Sequence, residues 1–162
     1  MHRVTLRNHY LLIKQNLLSI VLYLVIITIA LLAQFKGSEL FIIFMTLGFS
    51  PVTILHYTYY MQAKDMQIEF TTDGMKVFQG ETLQIIKDED IVRIDLYMSV
   101  SMYETGYASG RLLSEEYYYA IIVTNSGEII INNLLYPDLL NIDRYLNLSK
   151  FKYHTKLFAF LP

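Results

Sequence analysis

The sequence of 162 residues contains no cysteine and few charged side chains. The absence of cysteine excludes disulfide scaffolds, cysteine-ligated zinc, iron–sulfur clusters and thiol catalysis. Charged residues make up 17 % of the chain, whereas a typical soluble domain has about 25 %. The formal net charge is −2, which argues against a general nucleic-acid-binding protein because such proteins carry strongly basic surfaces.

Motifs of common enzymes are also missing from the sequence. It has no P-loop, no G-x-G-x-x-G and no H-E-x-x-H. Ser109 stands one position too late for a G-x-S-x-G nucleophile elbow. The four histidines show no metal-ligand spacing. These absences predict a protein that is not an enzyme, with no cofactor, no metal site and no evident small-molecule substrate.

Hydrophobic residues, at 54 % of the chain, are concentrated in two uncharged runs over residues 15–35 and 40–63. A helix needs about 20 apolar residues to cross a bilayer core of about 30 Å. Only four residues separate the runs, so they predict a transmembrane helical hairpin. A cleaved signal peptide is one alternative, but Ala30 and Ala33 are three apart and do not form an A-x-A cleavage site. A buried hairpin of a soluble protein is the other, but the residues after the runs are too few to supply the large core that it needs.

Basic residues near the two runs predict the orientation of this hairpin. Three of them, with no acid, precede the first run: Arg3, Arg7 and Lys14. The tip between the runs has Lys36 beside Glu39. Lys and Arg are enriched on the cytoplasmic side of membrane proteins. The pattern therefore predicts a multi-pass protein of the bacterial inner membrane with both termini in the cytoplasm.

One histidine lies within the second run. An ionisable group in a membrane span is a functional candidate by default. His56 is, however, close to Tyr57, Tyr59 and Tyr60, and tyrosines favour the level of the lipid headgroups. An interfacial histidine is therefore the favoured interpretation, and neither run contains a second ionisable group of the Asp, Glu, Lys, Arg or His type to pair with it.

Residues 64–162 show the patterns of a β domain. Alternating hydrophobicity predicts strands, separated by turns such as Asp73-Gly74 and Asn125-Ser126-Gly127. The predicted strands cover 66–70, 75–79, 82–86, 91–98, 117–124 and 128–132. Pro137 and the helical spacing of Leu139, Ile142 and Leu146 then predict a closing α-helix over 136–149.

Three local features carry a resemblance to a known family. They are the first hairpin at residues 70–75, the acidic turn within residues 86–94, and the Gly127-Glu128 hairpin before the closing helix. With the two apolar runs, this layout resembles the bacterial pleckstrin-homology-like membrane proteins of the YcxB-like type. The resemblance implies an α+β membrane protein in which a two-helix transmembrane hairpin precedes an antiparallel, pleckstrin-homology-like β domain.

The resemblance and the composition together predict three segments. Residues 1–14 are a basic cytoplasmic segment, residues 15–63 are the hairpin, and residues 64–162 are the cytoplasmic β domain with its closing helix and tail. Residues 65–143 contain 4 basic and 14 acidic residues, whereas the two ends of the chain are basic. The predicted membrane-surface contacts are therefore Arg3, Arg7, Lys14, Lys150, Lys152 and Lys156.

The C-terminal tail, residues 151–161, has two interpretations. Its basic residues alternate with aromatic ones, which suits an anionic lipid surface. The same alternation is typical of an extra strand, with Phe151, Tyr153 and Leu157 in the core. Upstream, the pair Glu115-Glu116 is interpreted as solvation of a sheet edge. The run Tyr117–Tyr119 is interpreted as sheet packing rather than a ligand surface.

The leading functional hypothesis is a non-enzymatic inner-membrane protein whose pleckstrin-homology-like domain mediates protein–protein interaction or assembly. Its partners would be the lipid bilayer and either another protein or a second copy of the chain. The alternative is a membrane-embedded immunity or stress-response component that acts through its hairpin, for which the Gly48–Pro51 interruption is the only hint. An enzyme acting on lipids at the bilayer surface is the third hypothesis.

Overall fold

The computed structural model describes residues 1–14, 17–33, 38–106 and 113–162. The α-helices are α1 (Leu6–Ile13), α2 (Leu17–Ala33), α3 (Ser38–Ala63) and α4 (Val100–Thr105). The strands are β1 (His2–Arg3), β2 (Met66–Thr71), β3 (Gly74–Gln79), β4 (Thr82–Lys87), β5 (Ile91–Met98), β6 (Tyr119–Thr124), β7 (Gly127–Asn132) and β8 (Phe151–Thr155). The strand prediction from alternating hydrophobicity therefore agrees with the structure to within two residues at nearly every boundary.

The strands form two four-stranded sheets. The first has the order β1-β2-β3-β4 and is antiparallel throughout. The second has the order β7-β6-β5-β8, in which β5 pairs antiparallel with β6 and parallel with β8. Strand β1 pairs His2 with Ile68, so the first residues of the chain belong to the same sheet as residues 66–87. The division into segments 1–14, 15–63 and 64–162 stays a prediction.

The core contains the inward-facing side chains of both sheets. Burial largely alternates along β2, β3, β6 and β7. Strand β5 departs from this pattern, with Ile94, Asp95 and Leu96 all buried. Each fully buried aliphatic side chain contributes about 1.5–3 kcal/mol. The largest fully buried side chains of this core are Ile68, Met75, Ile91, Ile94, Leu96, Ile122, Ile131 and Leu135. The β domain is thus a two-sheet sandwich rather than one sheet.

The helices correct the prediction of a membrane hairpin. Within the described ranges, no helix combines the length and the apolar character that crossing a membrane requires. The transmembrane hairpin with spans 15–35 and 40–63, the multi-pass inner-membrane localisation and the placement of both termini that depended on it are therefore wrong. Helix α2 has 17 residues, and the tip at residues 34–37 lies outside the described part of the chain.

Helix α3 shows the physical reason for this error. It has 26 residues and continues through Pro51, but polar side chains interrupt its apolar run at Thr46, Ser50 and Thr53. One face of its last turns is buried in the protein core, at Tyr59 and Ala63, while Tyr57 on the other face is exposed. A long apolar run is therefore explained here in part by contacts with the β domain.

The predicted closing α-helix over 136–149 is also wrong. Residues Leu139–Arg144 form a 3-10 helix, with Asn141 outside helical geometry (φ −103°, ψ 21°). A second 3-10 helix covers Leu148–Lys150. Hydrogen bonds such as Leu139 N–H to Tyr136 O span three residues. The apolar spacing still identifies the buried residues of this segment, because Leu139, Ile142 and Leu146 are all buried.

The C-terminal tail begins as a strand of the second sheet. Strand β8 runs parallel to β5, with Phe151 opposite Ile94. Phe151 packs against the core, but Tyr153 and Leu157 are 49 % and 67 % exposed. Ala159, further along, is the buried residue of the tail. The structure therefore has the strand of the second interpretation, with fewer tail side chains in the core.

A buried carboxylate joins β5 to β8. Asp95 accepts hydrogen bonds from Arg93 Nε at 2.6 Å and His154 Nε2 at 2.9 Å, and its side chain is 6 % exposed. Burial on its own raises the pKa of a carboxyl group. The hydrogen bonds and charges of His154 and Arg93 outweigh that effect, and the pKa of Asp95 is lower than its ordinary value.

Replacing Asp95 with Asn tests this arrangement through pH. A carboxylate with a lowered folded-state pKa stabilises the fold above its unfolded-state pKa, and this stabilisation is lost as pH falls through the folded value. We expect Asp95→Asn to reduce the free energy of unfolding at pH 7 by about 1–3 kcal/mol. The deficit should shrink below about pH 4. Urea denaturation at several pH values measures it, with exposed Asp73→Asn as control. A deficit independent of pH would contradict the assignment.

Gly74, at the start of β3, carries a second test. Its φ is +145°, and an added Cβ would lie 2.1 Å from the carbonyl oxygen of Ile86. Gly80 also has positive φ, at +58°, but open space around it. We expect Gly74→Ala to cost about 3 kcal/mol and Gly80→Ala about 1 kcal/mol. Equal losses of unfolding free energy in the two variants, measured by chemical denaturation, would show that the steric contact with Ile86 does not destabilise Gly74→Ala.

Candidate functional site at the junction of the helices and the β domain

The C-terminal half of α3 is packed into the β domain. Leu55, Tyr59 and Ala63 are fully buried, and their spacing of four residues places them on one face of the helix. Leu55 and Tyr59 belong to a cluster with Tyr117 and Tyr119. The ring of Tyr59 meets that of Tyr117 edge to face, with centroids 5.2 Å apart. The helix is thus fixed to the segment that leads into β6.

Asn132, at the end of β7, forms the polar part of this contact. Its Nδ2 donates to the carbonyl oxygen of Tyr59 at 2.9 Å and to Oε1 of Gln62 at 2.5 Å. Its Oδ1 accepts from the backbone N–H groups of Leu134 and Leu135 at 3.1 and 3.0 Å. One fully buried amide therefore joins α3 to the turn that follows β7.

Helix α1 is attached to the same turn. Thr5 caps the helix by accepting from the N–H of Asn8, and the Asn8 side chain is buried. Asn8 Nδ2 donates to the carbonyl oxygens of Leu134 at 2.8 Å and Arg3 at 3.2 Å. The tail joins from the other side, since the Tyr59 hydroxyl donates to Ala159 O at 2.7 Å. Four separate segments meet at this junction.

A cavity of about 500 Å³ lies beside the junction, between α1, α2 and α3. Most of its wall is aliphatic or phenyl. The described part of the chain contributes no Asp, Glu, Lys or Arg to it, and its polar groups belong to two histidines, three tyrosines and a threonine: His9, His56, Tyr57, Tyr60, Tyr117 and Thr53. The apolar wall residues are Leu12, Ile13, Ile20, Phe49 and Val52.

The polar end of the cavity is a chain of three side chains. His9 Nδ1 lies 2.9 Å from His56 Nε2, and His56 Nδ1 lies 2.9 Å from the Tyr117 hydroxyl. Burial, together with the charge of His9, lowers the pKa of His56. Burial, with a smaller effect of the Glu116 charge, raises the pKa of Tyr117. At neutral pH, His56 is therefore a neutral ring between two hydrogen-bonding partners.

No sequence pattern predicted this hydrogen-bonded chain of His9, His56 and Tyr117. The apolar runs contain no Asp, Glu, Lys, Arg or second His to pair with His56, but the structure supplies His9 from α1, 47 positions earlier. Tyr117, Tyr118 and Tyr119 are buried as the packing interpretation predicted. The hydroxyl of Tyr117 in addition faces the cavity. No spacing in the sequence could have joined His9 to Tyr117, because separate elements bring them together.

The predicted membrane-surface residues fall into two groups. Arg3, Arg7, Lys14 and Lys152 are exposed. Lys150 instead pairs with Asp88 Oδ2 at 3.4 Å, and Lys156 Nζ donates to the Tyr119 hydroxyl at 3.0 Å. Lys156 also lies 4.6 Å from the Tyr97 ring centroid. Contact of all six with a membrane surface stays a prediction.

The interpretation of Glu115 and Glu116 as exposed residues that solvate a sheet edge is wrong. Both are buried, at 9 % and 8 % exposure, at the end of the 3-10 helix Leu113–Glu116. Burial, with a smaller effect of the Glu115 charge, raises the pKa of Glu116. The signal that could have revealed this is the position of the pair directly before the three buried tyrosines.

The outward faces of α2 and α3 carry a large apolar surface. Among the side chains that the structure describes on these helices, nine aliphatic ones are each more than half exposed. We name them together the helical apolar surface: Leu22, Leu24, Ile29, Leu31, Leu32, Leu40, Ile43, Leu47 and Ile54. Soluble monomers rarely expose an apolar patch of more than a few hundred Å², and larger ones mark interaction sites.

Comparison with known protein families assigns the fold. Residues 1–142 match the family model described as PH domain, and the chain therefore belongs to the PH domain family. The match includes α1, α2 and α3 as well as strands β1 to β7, and it ends before β8. It confirms the pleckstrin-homology resemblance but does not extend to the YcxB-like type. Neither the curated proteins nor the solved structures contain a match to the chain.

Asn132→Ala tests the polar contact at the junction. The substitution leaves the N–H groups of Leu134 and Leu135 without their side-chain acceptor and removes the two bonds to α3. We expect the free energy of unfolding to fall by about 2–3 kcal/mol, the cost of leaving buried polar groups unsatisfied. Asn125→Ala, in an exposed turn, should change it by less than about 0.5 kcal/mol. Similar losses in urea denaturation would contradict the role of Asn132.

Proposed function

We propose that this member of the PH domain family is a non-enzymatic interaction module that binds a protein through the helical apolar surface. The exposure of the nine aliphatic side chains is the observation that carries the proposal. Contact with a partner would remove this surface from water, at a gain of about 25 cal/mol per Å² of apolar area. Part of that gain is offset by the cost of association.

The anchoring of the helices supports a rigid binding surface. Tyr59 and Asn132 fix the C-terminal half of α3 to the β domain, and Asn8 fixes α1. A surface that is already ordered loses little conformational entropy when it binds. The PH domain then serves as the base that presents the helices, rather than as the binding surface itself.

The charge of the β domain supports a protein rather than an anionic lipid surface as the partner of the helices. Residues 65–143 contain 14 acidic residues and 4 basic ones. Such a domain is repelled by an anionic leaflet. Helix α2, by contrast, has no charged residue, and the described part of α3 has only Glu39. An apolar protein surface is the complement to these helices.

Photocrosslinking from defined positions tests the proposal. A benzophenone amino acid replaces Leu24 or Leu47 on the helical apolar surface, and Leu83 on β4, which is also about half exposed, serves as the control position. We expect discrete protein adducts in cells from the first two positions and none from the third. An adduct of twice 19.0 kDa would identify a second copy of the chain, and another mass would identify a different protein.

A second substitution tests whether the crosslink depends on the helical apolar surface. Ile43→Glu should abolish the adduct formed from position 47, because the two exposed residues are four positions apart on one face of α3, whereas Leu83→Glu should leave it unchanged. The proposal fails if positions 24 and 47 give no more protein adduct than position 83. It also fails if their adducts are with phospholipid alone.

A further inference from the structure

We propose that the cavity between α1, α2 and α3 is a binding site for a single-chain amphiphile with a carboxyl head, such as a long-chain fatty acid. The acyl chain would lie along the apolar wall, and the carboxyl group would meet His9 and Tyr117. This site is separate from the helical apolar surface of the proposed function. The evidence is the cavity's size, the distribution of its polar groups and the hydrogen-bonding capacity of its polar end.

The size and the wall of the cavity fit such a ligand. Its volume of about 500 Å³ lies within the 300–1,000 Å³ typical of small-molecule sites. Ile20, Phe49 and Val52 supply apolar wall from two helices. No carboxylate among the described lining residues would repel an anionic head. A polar solute would leave most of its own hydrogen bonds unmade against this wall.

Counting protons defines what the polar end offers to a ligand. With His56 neutral, the three side chains carry at least three N–H and O–H protons, and the two hydrogen bonds of the chain use two of them. At least one proton therefore remains to be donated outside the chain. It is on His9 Nε2 when Tyr117 donates to His56, and on the Tyr117 hydroxyl when the chain runs in the opposite direction.

This arrangement is complementary to a carboxyl group. In either direction, at least one N–H or O–H group of the chain is left to donate. A carboxyl oxygen accepts such a bond, and a carboxylate accepts a stronger one because it is charged. The hydroxyl of a fatty alcohol accepts the bond without that charge, and an alkylammonium has no acceptor for it.

Binding assays with the full chain test the inference. The probe is cis-parinaric acid, whose fluorescence rises in apolar surroundings, and the competitors are palmitic acid, hexadecanol and hexadecylamine, which share one chain length. We expect palmitic acid to displace the probe at a concentration about tenfold lower than hexadecanol, since hydrogen bonds to a charged group are the stronger ones. Hexadecylamine that competes as well as palmitic acid would overturn the carboxyl assignment.

Variants then localise the site. Val52→Trp places a large ring within the cavity wall and should weaken probe binding at least about tenfold, whereas Leu83→Trp, on β4, should leave it unchanged. Thr53→Trp, at an exposed position of the same wall, replaces Val52→Trp if the latter fails to fold. Unchanged probe binding in the folded wall variant would overturn the proposal.

The variant His56→Phe tests recognition of the ligand's head group separately from binding of its acyl chain. The substitution keeps a ring of similar size but removes the link between His9 and Tyr117. We expect the preference for palmitic acid over hexadecanol to disappear, with hexadecanol affinity retained within about threefold. A preserved preference would show that the three side chains do not bind the carboxyl group. These results do not depend on crosslinking from Leu24 and Leu47, so the two proposals fail separately.

Discussion

The burial of one face of α3 against the β domain is the contact on which the rest of this structure depends. Leu55, Tyr59 and Ala63 occupy that face, and Asn132 adds hydrogen bonds to the carbonyl oxygen of Tyr59 and to Oε1 of Gln62. Because α3 is fixed there, α1 can pack beside it and bring His9 to His56. The cavity and the outward apolar surface of the helices both follow from that placement.

The sequence predicted the β domain well because its signals are local. Alternating hydrophobicity defined the strands, and the turn at Asp73-Gly74 defined the first hairpin, where Gly74 has the positive φ that such turns require. The family match over residues 1–142 confirms the PH domain. Local patterns did not predict that β8 would join β5 in parallel, since that pairing connects segments about 57 positions apart.

The errors arose where one pattern fits two environments. An apolar run has the same composition whether lipid or protein covers it, and the four-residue spacing of Leu55, Tyr59 and Ala63 was the available sign that protein covers part of it. The 3-10 helix at residues 139–144 presents the same apolar spacing as an α-helix. The His9–His56–Tyr117 chain joins three distant segments, and no single-sequence pattern contains that information.

The parallel pairing of β8 with β5 affects the order in which the protein can fold during synthesis. Strand β5 leaves the ribosome well before residues 151–155 are made, so its outer edge at first has no hydrogen-bonding neighbour, and Asp95 lacks His154. Unpaired strand edges are templates for aggregation. Residues 151–155 therefore complete the second sheet after β5, β6 and β7 have been made, and a nascent chain that stalls before them is the species most exposed to misassociation.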